Sequence, residues 1–432
     1  MLATLLHKKE AIWNSAQVFL NKGLNAVVPV FLIPYYNKVF GVEQYGELVY
    51  VQSIMTLLMF VSDYGFNVTG TRDVSMLGDD KRGQAQLLSN IYAVKFALTG
   101  CCYLIIFIMA FIAGWTVPVL LLYLATYSAF AFQSLTPFWF FQGIKQNVLI
   151  TITNLVSKLL LVGLTLHFIV KGSPLVLAPA IEWISYMAAL LMGNAILLTH
   201  LHFRLVRPRL VHIRQQLASG KNIFITSLLN WAITSGALVV LKQYADAEQM
   251  GYYGTFVRII YYVFALLQPI NQALFPYVSA RFAKGRDAAA RLIRPVAIGY
   301  FILVMLLLVT GLYGSEMMYN LFFDNRFMQG LPVYLPQFLV LLGWVSLVLI
   351  NNFLAMQGLV AAGQDRIYRR YYSLNALVAV VLFFVLIPRY SGTGAAWAVF
   401  SGEALLTILL IPAFFKATGI KFGSSAENRS PY

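Results

Sequence analysis

The feature that most constrains this chain is a series of apolar runs, each about 20 residues or longer, that recur along the sequence. A helix rises 1.5 Å per residue, so a run of that length covers the roughly 30 Å hydrocarbon core of a bilayer. The composition agrees, because 60% of the 432 residues are hydrophobic and 11% are charged, whereas soluble domains carry roughly 25% charged residues. The sequence therefore predicts a polytopic, all-α membrane protein and excludes a water-soluble fold.

We predict about twelve transmembrane helices, which the longest polar segment divides into two groups of six. The predicted spans are 12–34, 47–69, 88–112, 116–140, 148–170, 174–198, 222–242, 252–276, 295–315, 334–358, 371–388 and 392–415. The predicted domains are an N-terminal six-helix lobe (1–198), a basic cytoplasmic linker (199–221), a C-terminal six-helix lobe (222–415) and a cytoplasmic tail (416–432). No small-residue cleavage site follows the first apolar run, so we expect it to be retained.

The basic residues predict the orientation in the membrane. Most of the 31 lysines and arginines fall in segments that share a side with the N-terminus, whereas the opposite loops hold Lys38, Lys171, Arg326 and Arg389. By the positive-inside rule, both termini are expected in the cytoplasm. The net charge of +15 therefore indicates topology, and nucleic acid is not expected as a partner. The basic linker is expected to lie on the anionic inner leaflet.

Two short patterns recur at a nearly constant offset. The Tyr-Gly pair at 45–46, before the second span, recurs at 253–254, before the eighth. The F-x-x-x-Q-G-[IL] pattern of 138–144, at the end of the fourth span, recurs at 353–359, at the end of the tenth. These repeats predict two lobes of the same topology, a transporter plan in which the substrate site lies between the repeats.

Ionisable side chains inside the predicted spans are the candidate functional residues, because each is costly in a bilayer unless it is paired, snorkels or faces water. The candidate substrate-binding residues are Lys22, Lys95, Lys158 and Arg258, with the polar residues Asn154, Asn230 and Gln268. Lys22 and Lys158 lie too deep to snorkel. Polar stripes on their helices indicate either a wet face or hydrogen bonds between helices. A cavity rich in cations predicts an anionic substrate.

Three carboxylates also fall inside predicted spans: Asp63, Glu182 and Glu403. Each is a candidate for coupling to a proton or a sodium ion, because a buried carboxylate can bind a proton near neutral pH. The alternative is that each merely pairs with a neighbouring cation. The cysteines Cys101 and Cys102 are adjacent within an apolar run, so no disulfide, metal site or cofactor is indicated.

Two segments carry a resemblance to a known family. Asp-Tyr-Gly-Phe at 63–66, followed by Thr-Arg-Asp-Val-Ser at 71–75, is similar to a D-[YF]-G-[FI] and T/S-x-x-R-[DE]-[IV]-[SA] pattern, and 137–143 is similar to P-x-W-x-[FY]-Q-G. These patterns resemble the polysaccharide-transporter, or O-antigen flippase (Wzx-like), family of the superfamily that contains the MATE drug exporters and the lipid II flippase. The matching motif residues are Asp63, Gly65, Arg72, Asp73, Trp139, Gln142 and Gly143.

The resemblance implies two six-helix lobes in a MATE-like V shape and alternating access. It implies transfer of an undecaprenyl-pyrophosphate-linked oligosaccharide, the repeat unit of O-antigen or a related surface polysaccharide, from the cytoplasmic to the periplasmic leaflet of a bacterial inner membrane. The expected partners are that glycan, the lipid bilayer, and the polymerase and chain-length proteins of polysaccharide biosynthesis.

Other functions are less consistent with the sequence. An enzyme acting on the same lipids is not favoured, because the longest outside loop, 314–333, has no carboxylate pair at catalytic spacing. A MATE-like multidrug exporter and a secondary transporter of small anions are the alternatives. The sign of the cavity charge separates the first alternative from a flippase, because a cationic drug would require an acidic cavity.

Overall fold

The computed structural model describes residues 2–420, except for the side chains of 2–16, 18–19, 263–264, 266, 269, 314–318 and 320–321. The predicted tail beyond residue 420 lies outside the described residues. The described part is predominantly helical and contains no strand. The helices are α1 (Leu2–Phe40), α2 (Val42–Asp63), α3 (Phe66–Met76), α4 (Lys81–Ala113), α5 (Val117–Leu135), α6 (Phe138–Gly143), α7 (Asn147–Phe168), α8 (Leu177–Ala195), α9 (Leu210–Thr234), α10 (Gly236–Leu241), α11 (Ala247–Phe282), α12 (Arg286–Phe322), α13 (Asn325–Phe353) and α14 (Asp365–Thr418).

Eight helical stretches among the described residues are long and apolar enough to cross a membrane. They are Val42–Met76, Lys81–Ala113, Val117–Gly143, Asn147–Phe168, Leu177–His200, Arg286–Tyr313, Asn325–Val360 and Asp365–Thr418. The last is interrupted by Ser391, whose φ of 47° and ψ of −127° are not helical. That interruption falls between the predicted spans 371–388 and 392–415. The polytopic all-α fold is confirmed, and the count of twelve spans stays a prediction.

The helix predicted over 47–69 is broken near its end. Tyr64 and Gly65 adopt left-handed conformations, with φ of 49° and 78°, so α2 ends at Asp63 and α3 begins at Phe66. Glycine adopts this conformation without a steric penalty. A Cβ at Gly65 would also lie 2.9 Å from the Ile223 Cβ of α9. The break therefore requires glycine at 65 for both its backbone angle and its neighbour.

The helix predicted over 116–140 is also broken, between α5 and α6. Proline disfavours the helical conformation of the residue before it. Accordingly Thr136, which precedes Pro137, is extended with ψ of 132°. The chain resumes as α6 at Phe138.

The predicted linker 199–221 is partly helical and partly hydrogen-bonded to α4. Its second half is helical, because α9 begins at Leu210. Its first half is hydrogen-bonded to α4: Gln86 Nε2 donates to the Arg207 carbonyl at 3.0 Å, and Ser89 Oγ accepts from the Val206 amide at 2.8 Å. The Arg209 amide donates to Asn90 Oδ1 at 2.9 Å. These bonds fix the linker along the first turns of α4.

The helices pack into two compact units, unit 1 (1–255) and unit 2 (256–432), divided within α11. In unit 1, α5 packs between α2 and α8, α7 packs against α1 and α8, and α3 packs against α6. In unit 2, α13 packs against α12 and α14. A lobe division at the linker stays a prediction.

Within unit 1, the two Tyr-Gly pairs that the sequence marked as a repeat lie at one helix crossing, between α2 and the start of α11. A Cβ at Gly46 would lie 2.6 Å from the Gly251 amide nitrogen, and one at Gly254 would lie 2.7 Å from the Val49 Cγ1. Both tyrosines, Tyr45 and Tyr253, are buried. Small residues let the two backbones approach closely, as at other membrane helix crossings.

Candidate functional site

The two family-like motifs form one packed structure in unit 1. A Cβ at Gly70 would lie 2.7 Å from the Trp139 ring, and one at Gly143 would lie 2.7 Å from the Val74 Cβ. Thr71 Oγ1 donates to the Trp139 carbonyl at 3.0 Å. Trp139 is buried within the hydrophobic core of this region. These motif residues thus hold α3 against α6.

Replacing Gly143 with alanine should destabilise the protein by about 1–3 kcal/mol, because the added methyl group overlaps Val74 in a filled core. A matched control is Gly163→Ala in α7, where nothing lies within 4 Å of the added Cβ. That control should be neutral or slightly stabilising. The melting temperatures of the purified variants test this, and equal melting of the two would contradict close packing of the motifs.

An ion pair joins two of the predicted site residues. Lys95 Nζ lies 2.8 Å from Asp63 Oδ1 and donates to the Ser134 carbonyl at 2.7 Å. Lys95 is fully buried, and Asp63 is 8% exposed. The pair links α2, α4 and α5. This is the pairing that the sequence left open as the alternative for Asp63, while the roles of Asp63 in ion coupling and of Lys95 in substrate binding stay predictions.

The polar motif residues Arg72, Asp73 and Gln142 lie nearer the surface. Arg72 donates two hydrogen bonds to Asp73 Oδ1, at 2.9 and 2.8 Å. The Arg72 side chain is 52% exposed, and Gln142 is also exposed. An exposed pair of this kind contributes little to stability.

Lys158 lies in a partly buried polar cluster between α7, α8 and α2, called here the Lys158 cluster (Lys158, Tyr186, Glu182 and Gln52). Lys158 Nζ donates to the Tyr186 hydroxyl at 3.3 Å and lies 5.2 Å from the centre of the same ring. Glu182 acts on Lys158 electrostatically, and Gln52 Nε2 donates to Glu182 Oε2 at 3.4 Å. Lys158 is only 6% exposed, so it does not snorkel to a surface.

The polar stripes of α1 and α7 face each other. Asn21 Nδ2 donates to Thr151 Oγ1 at 2.8 Å, and Asn154 Nδ2 donates to Asn21 Oδ1 at 3.3 Å. Asn154 is buried, and Lys22 beside Asn21 is half-buried. Hydrogen bonding between helices explains this part of the stripes. A water-filled face along the same helices stays a prediction.

In unit 2, Glu403 is a buried carboxylate surrounded by amides. Asn351 Nδ2 donates to Glu403 Oε2 at 2.7 Å, and Asn375 of α14 approaches the same carboxylate. Among the described residues, no Lys, Arg or His forms an ion pair with Glu403. The Asn351 Oδ1 is buried without a partner in the same described set. Asn351 Nδ2 also donates to the Glu403 carbonyl at 3.0 Å, so Asn351 binds both the backbone and the carboxylate of Glu403.

Replacing Glu403 with glutamine should abolish any dependence of transport on the proton or sodium gradient that arises at this carboxylate. Glutamine keeps a hydrogen-bonding partner for Asn351 but cannot gain or lose a proton. Glu182→Gln is the matched comparison, because its carboxylate lies near a cation. Transport by proteoliposomes at several pH values and sodium concentrations tests this, and an unchanged dependence in Glu403→Gln would exclude Glu403 as the coupling residue.

The remaining predicted residues are placed as follows. Asn230 is an exposed residue of α9 in unit 1, and Arg258 and Gln268 are half-buried residues of α11 in unit 2. Unit 1 thus contains Lys95 beside Asp63, Lys158 near Glu182, and Asn154 bonded to α1.

Sequence reasoning missed several of the polar partners. Tyr186 carries no signal, because tyrosine is common throughout this chain. The adjacent asparagines at 351–352 were a usable signal, since two amides in an apolar run are costly unless they are bonded. Asn352 Oδ1 accepts from Asn271 Nδ2 at 2.8 Å, and Asn271 also donates to the Tyr300 hydroxyl at 3.0 Å.

Comparison with known proteins identifies the family of this chain. The family described as "Polysaccharide biosynthesis protein" matches residues 8–282, more than half of the chain. The chain belongs to this family. A relative from Escherichia coli (strain K12), named "Putative O-antigen transporter", is 22% identical to this chain over 402 residues. The alignment covers 90% of this chain and 93% of the E. coli protein.

Two solved structures share the fold of this family member. One is the inward-facing conformation of a multidrug resistance MATE family transporter, with a TM-score of 0.70 at 12% identity over 94% of this chain and 96% of that chain. The other is the lipid II flippase MurJ in an inward closed conformation, with a TM-score of 0.64 at 13% identity over 94% of this chain and 90% of that chain. The chain is therefore a polytopic membrane protein with a MATE-like transporter fold.

Proposed function

We propose that the protein is a flippase that moves an undecaprenyl-pyrophosphate-linked oligosaccharide from the cytoplasmic to the periplasmic leaflet by alternating access. The observation that carries this proposal is membership in the polysaccharide biosynthesis family together with a transporter fold. The relative's name, an O-antigen transporter, and the lipid II flippase among the structural neighbours support a lipid-linked glycan as the substrate.

The Lys158 cluster offers a chemical basis for binding a diphosphate. A lysine among apolar helices can form charge-assisted hydrogen bonds to phosphate oxygens. To do so, Lys158 would give up its hydrogen bond to Tyr186 and its electrostatic interaction with Glu182 and bind the phosphate instead. Tyr186 and Glu182 compete with the phosphate for Lys158. Lys158 can therefore return to them when the substrate is released on the periplasmic side. Lys22 on α1 and Arg258 on α11 are the further cations that we propose for the transport path.

We also propose that both termini lie in the cytoplasm and that the membrane is the bacterial inner membrane. The basic segments predicted inside are consistent with this, because residues from 74–84, 143–146 and 200–203 line one common cavity. The glycan polymerase and chain-length proteins would then act on the translocated product.

Deleting the gene tests the proposed function. We expect loss of the surface glycan and accumulation of its lipid-linked repeat unit on the cytoplasmic side, inaccessible to a periplasmic glycosidase. Accumulation of the lipid-linked unit on the periplasmic side would instead indicate a step after translocation. Unchanged surface glycan with increased sensitivity to cationic drugs would favour the multidrug exporter.

A further inference from the structure

A cavity of about 460 Å³ lies outside the Lys158 cluster, at the ends of several helices of unit 1. Three segments line it. They are 74–84, which joins α3 to α4 and includes the first turn of α4, 143–146, which joins α6 to α7, and 200–203, which starts at the last residue of the π-helical turn Ile196–His200. We call it the helix-end pocket. Since α4 and α7 belong to stretches that are long and apolar enough to cross a membrane, we expect the pocket at their ends to lie near the lipid head groups. Its volume is within the range of pockets that hold small molecules.

The lining of the helix-end pocket is rich in basic side chains. Lys81, Lys145, His200 and His202 come from all three segments, and Asp79 is the one carboxylate among the lining residues. All four bases are exposed. Within the part of the chain that the structure describes, their side chains form no hydrogen bond or ion pair with protein. Their donors are therefore available to a ligand.

The loops that carry these bases are held in place by local structure. Lys145 and His202 have left-handed conformations, with φ of 61° and 56°, which residues other than glycine rarely adopt. The loop before α4 is closed by two side chains, because Gln84 donates to the Gly78 carbonyl and Asp80 accepts from the Gly83 amide. The bases thus extend from helix ends and from turns of defined backbone conformation.

We propose that the helix-end pocket binds the phosphate groups of a lipid head group at the membrane surface. Two lysines provide charge-assisted donors that match phosphate oxygens, and two histidines add further N–H donors. The shared ligand chemistry is a phosphate ester on a lipid, and two lipids carry it. One is an anionic phospholipid of the bilayer, whose surface potential attracts basic residues. The other is the glycan lipid, through its diphosphate. This second assignment rests on the proposed function and would make the pocket a docking site before transport.

Equilibrium binding to the purified full-length protein in phosphatidylcholine nanodiscs tests this proposal. The probes are farnesyl diphosphate, dioleoyl phosphatidylglycerol and inorganic pyrophosphate. The test variant is Lys81→Gln/Lys145→Gln. The matched control is Lys221→Gln/Lys284→Gln, which removes the same charge at exposed lysines outside the pocket lining. We expect the test variant to bind at least one of the two lipids about ten-fold more weakly, and the control to bind as the wild type does.

The three probes separate the sources. Weaker binding of phosphatidylglycerol alone identifies a bilayer phospholipid, and weaker binding of farnesyl diphosphate alone identifies a prenyl diphosphate. Unchanged binding of both lipids, or an effect on pyrophosphate alone, would overturn the proposal. If the double variant does not fold, Lys145→Gln and His202→Gln are measured singly with the same expectation. Glycan export is a separate measurement, so its failure would contradict the proposed function and leave the pocket result intact.

Discussion

Replacing Lys95 with methionine should lower the free energy of unfolding by about 3–5 kcal/mol, because the Asp63 carboxylate would remain buried without its cation. Lys95 is fully buried and bonds Asp63 at 2.8 Å. Asp63 is itself only 8% exposed, so little solvent is available to replace the lost partner. Unfolding of the purified protein by SDS in mixed micelles measures the change.

A double variant and a surface pair are the controls for this prediction. Lys95→Met/Asp63→Asn should recover most of the lost stability, because neither residue is then charged. Arg72→Met breaks the exposed pair with Asp73 and should cost less than about 1 kcal/mol. If the double variant is as unstable as Lys95→Met, the ion pair does not explain the burial of Lys95.

The same double variant separates a structural role from a role in transport. Normal glycan export by a stable Lys95→Met/Asp63→Asn protein would show that the pair serves the fold. Loss of export at normal stability would support the predicted roles of Lys95 in substrate binding and of Asp63 in coupling.

Replacing Lys158 with methionine should reduce the affinity of the protein for the lipid-linked glycan roughly ten- to hundred-fold. This corresponds to the loss of one charge-assisted contact of about 1.5–3 kcal/mol. Methionine retains the length of the apolar stem, so packing between α7 and α8 should persist. Lys158→Arg keeps the charge with a different donor shape and should export more glycan than Lys158→Met. Surface glycan in a strain without the wild-type gene is the measurement, at equal protein levels.

Lys242→Met is the matched control for Lys158. Lys242 also lies over a tyrosine, with its Nζ 5.6 Å from the centre of the Tyr50 ring, but it is exposed. Its replacement should leave export unchanged. Equal export by Lys158→Arg and Lys158→Met would show that the positive charge at 158 is not used in transport.

The helical membrane fold was predictable because the length of an apolar run is a direct physical requirement for crossing a bilayer. The breaks at Tyr64–Gly65 and at Thr136 were not predicted, because both lie near the ends of segments whose length and overall hydrophobicity indicate single spans. At 64–65, two left-handed residues end the helix where α9 approaches. The Gly65 of the motif and Pro137 were the available signals.

The candidate site was predictable only as a set of residue types. Charged residues such as Lys95 and Lys158 stand out because they are rare in apolar helices. Their partners follow from helix packing, which brings Lys95 to Asp63 and Lys158 to Tyr186 across sequence separations of 32 and 28 residues. Thr151 and Asn154 of the polar stripe of α7 contact Asn21, and that partner could be identified only from the packing of α1.

Translocation by the purified protein is the most direct test of the central claim. The protein is reconstituted into liposomes that contain a fluorescent undecaprenyl-pyrophosphate-linked oligosaccharide, and a membrane-impermeant glycosidase is added outside. Liposomes with the wild-type protein should expose nearly all of the glycan to the enzyme, whereas protein-free and Lys158→Met liposomes should expose mainly the outer-leaflet fraction. Equal digestion in wild-type and protein-free liposomes, with correctly folded protein, would contradict a flippase.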